Sequence, residues 1–387
     1  MRLKPFRVNK KWILLFSVTM CFFGYFGLFT HLFERDYKSS FSYPYEGDIR
    51  RFVDQLKNNE TPDVKPINVY NYSFISACTK KCSTPDKEVL RIVYIVKSAL
   101  PNFHRRKAIR ETWGFEKRFS DVQIRTVFVL GVTADDRKLL QEVQKESARH
   151  GDIVQANFID DYFNNTIKTM MGISWAFTYC PNAQFYFFSD DDMYVSTKNV
   201  LRFIRNPAHY PEYLETPVIS LRRREKRNVI EGRTSHDMQY NTSGQMMRRL
   251  HQFQDFELAD DVVLFAGYVF VSSPQRHFSS KWYVPLSEYP YNMWPPYVTA
   301  GAYILSRNAL IDMYYASLYT KHFRFDDIYL GILAKKLGIE PFHCSEFHFY
   351  KMNYNVYSYH YVIASHGYSD PDEIIRVWNE QRSVGNA

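Results

Sequence analysis

Three consecutive carboxylates are the clearest candidate for chemistry in the chain, because they directly follow an apolar run in FYFFSDDDMYV, residues 185–195. The run predicts a buried strand that delivers Asp190, Asp191 and Asp192 to the carboxyl edge of a sheet, where open α/β sheets bind ligands. If the strand alternation continues, Asp190 and Asp192 face the same side. Unneutralised carboxylates beside a core require a cation, so the pattern predicts an Mg²⁺ or Mn²⁺ site carrying a phosphate. The alternative is an acidic surface turn.

A second group of candidates is basic and lies earlier in the chain. Lys97 follows a predicted strand over residues 89–96, and Arg106 and Arg110 have the i, i+4 spacing that places two side chains on one helix face. Two guanidinium groups with a lysine nearby suit a diphosphate. A solvated basic helix is the alternative.

The elements that must position these groups follow a regular rhythm. A second apolar strand is predicted over residues 124–131, a helix over 135–150, and the strand that ends at Asp190 comes next. Strands that alternate with helices indicate an α/β domain with a largely parallel sheet.

The N-terminus has the pattern of a membrane anchor. Residues 12–33 carry no Lys, Arg, Asp or Glu, five cations precede them, and Glu34 and Asp36 follow. This predicts a transmembrane helix over 12–33 with residues 1–11 cytosolic and the remainder across the membrane. A cleaved signal peptide is the alternative. Residues 34–88 are polar without a sustained period and are predicted to form a stem, and residues 89–387 the globular domain.

The predicted orientation places the domain in an oxidising lumen. Cys78, Cys82, Cys180 and Cys344 form an even set for disulfides, with three connectivities open. Three glycosylation sequons lie on the same side, at Asn71, Asn164 and Asn241.

Composition excludes a disordered chain, since 45% of the 387 residues are hydrophobic and 17% aromatic. The formal net charge of +8 favours anionic small molecules or a membrane surface. We expect no nucleic-acid partner, because no nucleic-acid module is recognisable. The basic run in residues 221–261 is typical of a solvated loop, and contact with anionic lipid headgroups is the alternative.

Four segments occur in a familiar order: KSALPNFHRRKAIRETWG, then IDDYFNNTIKTMMGISWAFTYCPNAQFYFFSDDDMYVSTKNVL, SKWYVPLSEYPYNMWPPYVTAGAYILS and FRFDDIYLGILAKKLGI. From residue 89 onward the chain resembles the β1,3-glycosyltransferases of glycosyltransferase family 31. Within them it is most similar to the brainiac-like β1,3-N-acetylglucosaminyltransferases. The resemblance implies a GT-A type, Rossmann-like fold, a type II Golgi membrane protein, a UDP-sugar donor, Mn²⁺ and inversion at the anomeric carbon.

The resemblance also implies roles for single residues. Asp190 and Asp192 match the D-x-D motif of the family, the first near the ribose and the last on the metal, and His366 matches a histidine that completes the metal shell. By its type alone a lone histidine is more often structural. The remaining donor-binding candidates are Lys97, Arg110, Arg106, Arg105 and Asp191.

The family's general base matches Asp327, because its E-D-V motif is Asp326-Asp327-Ile328 in this chain. Asp326 replaces the usual Glu, so either neighbour remains a catalytic candidate. Sequence alone favours a capping carboxylate at the start of a helix that runs to Leu337.

Acceptor contacts are predicted at Tyr289, Trp294 and Gly301, since aromatic rings stack on sugars and glycine permits close approach. Burial of the two aromatic residues in the core is the alternative. The resemblance implies transfer of GlcNAc to the mannose of a Man-Glc-ceramide glycolipid. The alternatives are galactosyl or N-acetylgalactosaminyl transfer and an anchored lectin-like protein without turnover. A homo-oligomer is possible.

Overall fold

A computed structural model describes residues 9–43, 47–68, 70–83, 89–214, 258–259 and 261–387. Most of the basic run in 221–261 and the sequon at Asn241 lie outside the described residues. The helices in that part of the chain are α1 Lys10–Tyr25, α2 Tyr37–Ser40, α3 Ile49–Lys57, α4 Phe103–Glu111, α5 Arg137–His150, α6 Asn165–Tyr179, α7 Thr197–Arg205, α8 Arg307–Ser317, α9 Asp326–Leu337 and α10 Pro371–Ser383. The strands are β1 Phe74–Ser76, β2 Leu90–Lys97, β3 Gln123–Val132, β4 Ile153–Ile159, β5 Phe185–Asp190, β6 Met193–Val195, β7 Phe265–Phe270, β8 Tyr297–Ser306, β9 Phe342–His343, β10 Phe347–His348 and β11 Ala364–His366.

The main sheet has the strand order β1-β4-β3-β2-β5-β8-β7-β9 among the described residues. Strands β4, β3, β2 and β5 are mutually parallel, whereas β8 lies antiparallel between β5 and β7. The predicted α/β class and the parallel centre of the sheet are therefore confirmed. This mixed α/β architecture with a central sheet is consistent with the GT-A type.

The central strands are buried on both faces, as parallel strands covered by helices must be. Along β2, Val93 and Ile95 pack into one hydrophobic cluster with α6, α8 and α9, while Tyr94 and Val96 pack into a second cluster on the other face. The strands predicted at 89–96 and 124–131 and the helix predicted at 135–150 are confirmed to within two residues. The sheet thus provides a rigid carboxyl edge at which polar side chains can be held.

The strand that carries the three aspartates stops earlier than the sequence predicts. Strand β5 ends at Asp190, and the chain turns at Asp191 and Asp192 before it enters β6. Strand β6 belongs to a separate three-stranded sheet with the order β10-β11-β6. The predicted alternation of Asp190 and Asp192 along one strand is therefore wrong, because a turn separates them. The turn instead brings β11, with His366, beside the aspartates.

The N-terminal helix is shorter than the predicted span. Helix α1 covers Lys10–Tyr25, buries none of its side chains, and is followed by a 3₁₀ turn at Thr30–Phe33. Within the described residues, no helix combines the length and the apolar character needed to cross a bilayer. The membrane anchor stays a prediction.

The segment predicted as an irregular stem is in fact packed on the domain. Helix α3 buries Ile49, Phe52 and Val53, and β1 extends the main sheet by pairing with β4. These three residues have the i, i+3, i+4 spacing of an amphipathic helix, so the signal was present but only nine residues long. The packed unit therefore begins well before residue 89.

Only one of the expected disulfides forms among the described cysteines. Cys82 is bonded to Cys180, whereas Cys78 and Cys344 are free. Cys78 packs against the hydrophobic cluster on one face of the sheet and Cys344 lies in the cluster on the other face. The sheet separates the two thiols, so the prediction that all four cysteines pair is wrong.

Candidate active site

A cleft of about 350 Å³ lies at the carboxyl edge of the central strands. Lys97 and Ser98 at the end of β2, the three aspartates after β5, and His366 from β11 line it. Helix α6 adds Asn165 and Lys168, and the segment after β4 adds Asp160, Asp161 and Tyr162. The sequence thus predicted the correct edge of the sheet for the aspartate cluster, because the apolar run of β5 ends there.

The middle aspartate is held by three donors. Asp191 is buried and accepts hydrogen bonds from Ser98 Oγ at 2.6 Å, Asn102 Nδ2 at 2.8 Å and Arg105 Nη1 at 2.9 Å. Its lone pairs are therefore committed to neighbours within the protein. We infer that Asp191 fixes the turn rather than binding a ligand directly.

A buried ion network connects the first aspartate to the opposite wall of the site. Lys97 Nζ lies 3.1 Å from Asp190 and 2.7 Å from Asp326, and Thr169 Oγ1 donates to Asp326 at 2.8 Å. Burial lowers the pKa of Lys97, but the two carboxylates outweigh it and hold that pKa above its ordinary value. Burial raises the pKa of Asp190 to about 6 against the opposing effect of Lys97. Lys97 lines the cleft with its charge shared between two carboxylates, and its predicted contact with the donor's phosphates stays a prediction.

The third aspartate and the histidine are the pair that suits a metal ion. Asp192 Oδ2 lies 3.5 Å from His366 Nε2, and both side chains are partly exposed to the cleft. Two ligands held about 2.1 Å from one ion stand about 3.0–3.5 Å apart, so this pair fits Mn²⁺ or Mg²⁺. Across the described ranges, no group of three His, Cys, Asp or Glu side chains is arranged to hold a metal.

The adjacent acids Asp326 and Asp327 have opposite environments at the start of α9. Burial raises the pKa of Asp326, but the ion pair with Lys97 outweighs it and holds that pKa below its ordinary value. Burial and the neighbouring Asp326 charge raise the pKa of Asp327 to about 7. Asp327 is half-buried, and its carboxylate accepts a hydrogen bond from the backbone N–H of Ile328 at 2.8 Å. Two acids whose pKa values diverge in this way are suited to different roles.

Asp327 faces the aromatic end of β8. Gly331 lies one helical turn after Asp327 on the same face of α9, and a Cβ on Gly331 would be only 2.6 Å from Tyr297 Cβ. The Tyr297 ring stacks on Phe270 with ring centroids 5.8 Å apart, and Phe270 contacts the partly exposed Phe349 at 4.8 Å. We refer to Tyr297, Phe270 and Phe349 as the aromatic platform. It lies at the same edge of the sheet as the cleft, on the side of β7 and β8.

The predicted arginine clamp is wrong. Arg106 is fully buried and all three of its guanidinium nitrogens bond to Glu146, to Ser98 or to the carbonyl groups of Ala99 and Leu100. Arg110 pairs with Glu146 at 2.7 Å and with Asp152 at 2.7 Å. Both charges are neutralised by carboxylates in α5 and just after it, so neither is offered to a phosphate. The neighbouring Arg105 reaches the site instead, through Asp191.

Two of the three predicted acceptor contacts are core residues. Tyr289 is fully buried and Trp294 is 5% exposed, and their rings pack together at 4.1 Å. Their predicted role in acceptor binding is wrong, because neither ring has a free face. Gly301 is different, since it lies in β8 with the His366 ring 3.7 Å from where its Cβ would be. It is therefore close to the predicted metal pair.

Sequence reasoning missed Lys168, Asp160, Ser98 and Asn102 as site residues. Lys168 Nζ donates to the carbonyl of Ser98 at 2.8 Å and pairs with Asp160 at 2.6 Å. Each of the four falls inside or beside the segments that carry the family resemblance, and that was the available signal. No spacing rule links them, because they come from three separate parts of the chain: the connection between β2 and α4, the segment after β4, and α6.

The described sequons differ in their exposure. Asn71 is exposed in a segment without regular structure. Asn164 lies in a 3₁₀ turn, where its Nδ2 donates to the carbonyl of Ile159 at 2.9 Å. Glycosylation at Asn71 and Asn164 stays a prediction.

Comparisons with known proteins agree with this geometry. The profile of the family described as Galactosyltransferase matches residues 104–245 and 232–345. The chain is 41% identical to beta-1,3-galactosyltransferase brn of Drosophila melanogaster over 94% of this chain and 93% of that protein. It is 32% identical to beta-1,3-galactosyltransferase 1 of Mus musculus over 82% of this chain and 81% of that protein. The chain therefore belongs to the β1,3-glycosyltransferases of glycosyltransferase family 31, and it is an enzyme that transfers a sugar from a UDP-sugar donor to an acceptor.

Proposed function

We propose that this enzyme is an inverting β1,3-N-acetylglucosaminyltransferase that moves GlcNAc from UDP-GlcNAc to the mannose of a Man-Glc-ceramide glycolipid in the Golgi. The observation that supports an inverting reaction is the contrast between Asp326 and Asp327 beside the aspartate cleft. Inversion needs one general base opposite the leaving diphosphate, and Asp327 alone of the pair has a carboxylate that is not already paired with a cation. The GlcNAc donor and the glycolipid acceptor rest on the brainiac-like resemblance of the sequence.

In the proposed reaction, Asp327 takes the proton from an acceptor hydroxyl as that oxygen attacks the anomeric carbon of the donor. The new glycosidic C–O bond forms, the bond from the anomeric carbon to the β-phosphate oxygen breaks, and UDP leaves with that electron pair. Lys97 stabilises Asp190 and Asp326 as anions, and Asp191 fixes the turn that presents Asp190 and Asp192. The aromatic platform beside Asp327 offers apolar ring faces to the acceptor sugar.

Mn²⁺ is the cofactor that fits the proposed site. Asp192 and His366 would hold it, and it would neutralise the charge that develops on the departing diphosphate. Without a cation, two phosphates would face the carboxylates of Asp190 and Asp192, and the cationic side chains nearest them are already paired with acids.

Galactosyl transfer is the second candidate, because the relatives compared above are named β1,3-galactosyltransferases. The two candidates differ in one sugar hydroxyl and in the N-acetyl group. A donor screen decides between them: the purified enzyme is incubated with Man-Glc-ceramide or a mannoside and with UDP-GlcNAc, UDP-Gal or UDP-GalNAc, and the released UDP is measured. Turnover with UDP-Gal and none with UDP-GlcNAc would replace the first candidate by the second.

The base is tested with Asp327→Asn, which preserves the shape of the side chain but cannot accept the proton. We expect kcat to fall by about 10²- to 10⁴-fold while the affinity for the UDP-sugar stays near wild type. Asp192→Ala is the matched comparison, because it should weaken UDP-sugar binding in the presence of Mn²⁺ as well as turnover. An Asp327→Asn enzyme with wild-type kcat would contradict the assignment.

A further inference from the structure

A buried ion pair clamps the segment after the N-terminal helix to the catalytic domain. Glu34 accepts from Arg276 Nε at 2.7 Å, and the Arg276 side chain is fully buried. The other guanidinium nitrogens donate to the carbonyl groups of Val284, Tyr289 and Tyr291 at 2.7–2.9 Å. A buried guanidinium bonded on every side fixes both partners in place, because freeing Glu34 would leave a buried charge unpaired.

Backbone contacts extend this clamp in both directions. Arg35 N–H donates to the carbonyl of Pro290 at 2.8 Å, and Asn292 N–H donates to the carbonyl of Arg35 at 3.0 Å. Gly27 has φ +77° and lies so close to Arg276 that a Cβ there would be 2.5 Å from the Arg276 carbonyl oxygen. Helix α1 ends at Tyr25, so the chain meets the catalytic domain within two residues of the helix. The domain therefore cannot move freely relative to α1, in contrast to a domain on a flexible stem.

An exposed aromatic surface runs from the end of α1 to the mouth of the cleft. We refer to Phe278, Lys281, Trp282 and Tyr162 as the aromatic rim. Phe278 is 59% exposed, and the centroid of its ring lies 6.5 Å from the centroid of the Tyr25 ring of α1. The backbone N–H of Phe278 donates to the Tyr25 carbonyl at 3.4 Å. The rim thus begins where the apolar helix ends.

The other end of the rim reaches the donor site. Trp282 is 50% exposed, and Lys281 Nζ lies 4.5 Å from the centroid of the Trp282 ring. The Nε1 of Trp282 donates to the Tyr162 hydroxyl at 3.2 Å. Tyr162 is itself 51% exposed and lines the cleft. Exposed Trp and Tyr with a lysine are typical of protein surfaces at the headgroup level of a bilayer.

We infer that the aromatic rim lies in the headgroup region of the same bilayer that takes up α1, so that the donor cleft opens at the membrane surface. Two independent observations support this occupant: every side chain of the apolar helix α1 is at least partly exposed, and the clamp holds the rim next to the end of that helix. The inference rests on the membrane anchor and lipid-linked acceptor proposed above. It adds that the acceptor reaches the enzyme along the bilayer, without leaving it. A second copy of this chain covering the rim is the competing occupant.

Fluorescence quenching by lipid tests the position of the rim. The full chain is reconstituted into phosphatidylcholine vesicles with either plain or brominated acyl chains, and the emission specific to Trp282 is obtained by subtracting the spectrum of Trp282→Phe. We expect brominated lipid to quench this emission. Unquenched Trp282 emission overturns the inference. If chemical cross-linking also yields dimers, the rim is covered by a second copy of this chain and not by the bilayer.

Trp12 in α1 separates this outcome from a failure of the anchor itself. Emission obtained by subtracting Trp12→Phe should be quenched whenever α1 enters the bilayer. Quenching of Trp12 without quenching of Trp282 would leave the proposed anchor standing and overturn only the rim. Absence of quenching at both positions would overturn the anchor together with the rim.

Acceptor kinetics provide a second readout. Phe278→Ser removes an apolar anchor of the rim that does not line the cleft, and Tyr357→Ser is a control at a side chain that is 89% exposed and outside the rim. We expect Phe278→Ser to raise the apparent KM for glycolipid in vesicles by roughly five- to tenfold, with no change for a water-soluble acceptor glycan. Equal effects on both acceptors, or none on the glycolipid, would overturn the inference. If the wild-type enzyme shows no activity on the soluble acceptor glycan, that result would instead count against the proposed function.

Discussion

At the scale of single residues, the enzyme separates two neighbouring acids by their surroundings. Asp326 is committed to Lys97 and Thr169, whereas Asp327 forms no ion pair with any described residue and has a pKa raised to about 7 by burial and by Asp326. A base must be ionised before it can accept a proton. We therefore expect kcat/KM to rise with pH through about 7, as measured from initial rates across the neutral range. A profile that is flat through that range would contradict Asp327 as the base.

The same contrast predicts opposite effects on stability. Because the pKa of Asp326 is lowered on folding, its contribution to stability is present above its ordinary pKa and is lost as the pH falls through the folded value. Because the pKa of Asp327 is raised from 3.8 to about 7, the folded state binds the extra proton in that window, and stability falls as the pH rises through it.

We therefore expect Asp326→Asn to lower Tm at about pH 8, since the loss of a charge-assisted hydrogen bond costs about 1 to 3 kcal/mol. Asp327→Asn should raise Tm at the same pH and have little effect near pH 4. Thermal unfolding of both variants and the wild type at the two pH values checks this. Destabilisation by Asp327→Asn at high pH would mean that its bond to Ile328 N–H matters more than its charge.

The residues that sequence reasoning placed wrongly show which information a local sequence pattern lacks. The spacing of Arg106 and Arg110 correctly placed both on one helix face, but their partners Glu146 and Asp152 lie about 40 residues later and were invisible to a local rule. The aspartate cluster was found because its signal is contiguous. An ion pair is decided by which elements meet, so the destination of an arginine depends on tertiary packing.

At the scale of elements, the buried network that joins α4 to α5 should behave as structure rather than as binding site. Glu146 accepts from both Arg106 and Arg110, so Glu146→Gln removes the negative charge that pairs with both guanidinium groups. Breaking a buried pair of this kind costs about 3 to 5 kcal/mol, and we expect a lower Tm with an unchanged KM for the donor.

Arg105→Ala is the matched comparison, on the helix α4 that also carries Arg106 and Arg110. It frees Asp191 from one of its three donors at the cleft and touches no residue of the α4–α5 network. The KM for the donor should rise several-fold, and Tm should change little, because the Arg105 side chain is 25% exposed. A donor KM that rises with Glu146→Gln but not with Arg105→Ala would restore the arginine clamp that the sequence predicted.

Elements with long or contiguous patterns were predictable, and short ones were not. Helix α5 and strands β2 and β3 were predicted to within two residues because their apolar patterns continue through the whole element. Helix α3 has nine residues and a single apolar turn, and strand β1 has three residues, so neither stands out from the polar segment around it. Their stability comes from the domain they pack on, which the sequence of the segment does not contain.

At the scale of the whole molecule, the described residues from α3 onward pack on one domain, and this has a practical consequence for truncation. A chain that begins at residue 34 keeps every contact of α3, β1 and the bridge from Cys82 to Cys180. A chain that begins at residue 89 loses the burial of Tyr43, Ile49, Phe52 and Val53 together with that bridge.

Each of those four side chains contributes about 1.5 to 3 kcal/mol by its burial, and a native disulfide a further 2 to 5 kcal/mol or so. Their sum is comparable with the whole stability of a domain, about 5 to 15 kcal/mol. We therefore expect the chain from residue 34 to unfold cooperatively and to turn over soluble acceptor, whereas the chain from residue 89 should fail to reach a cooperative folded state. Circular dichroism melts and UDP release compare the two. The control is the chain from residue 34 with Cys82→Ala and Cys180→Ala. If this control fails to fold as completely as the chain from residue 89, the disulfide rather than the packing of α3 accounts for the loss. A chain from residue 89 that melts like the longer chain would show that residues 34–88 act only as a stem.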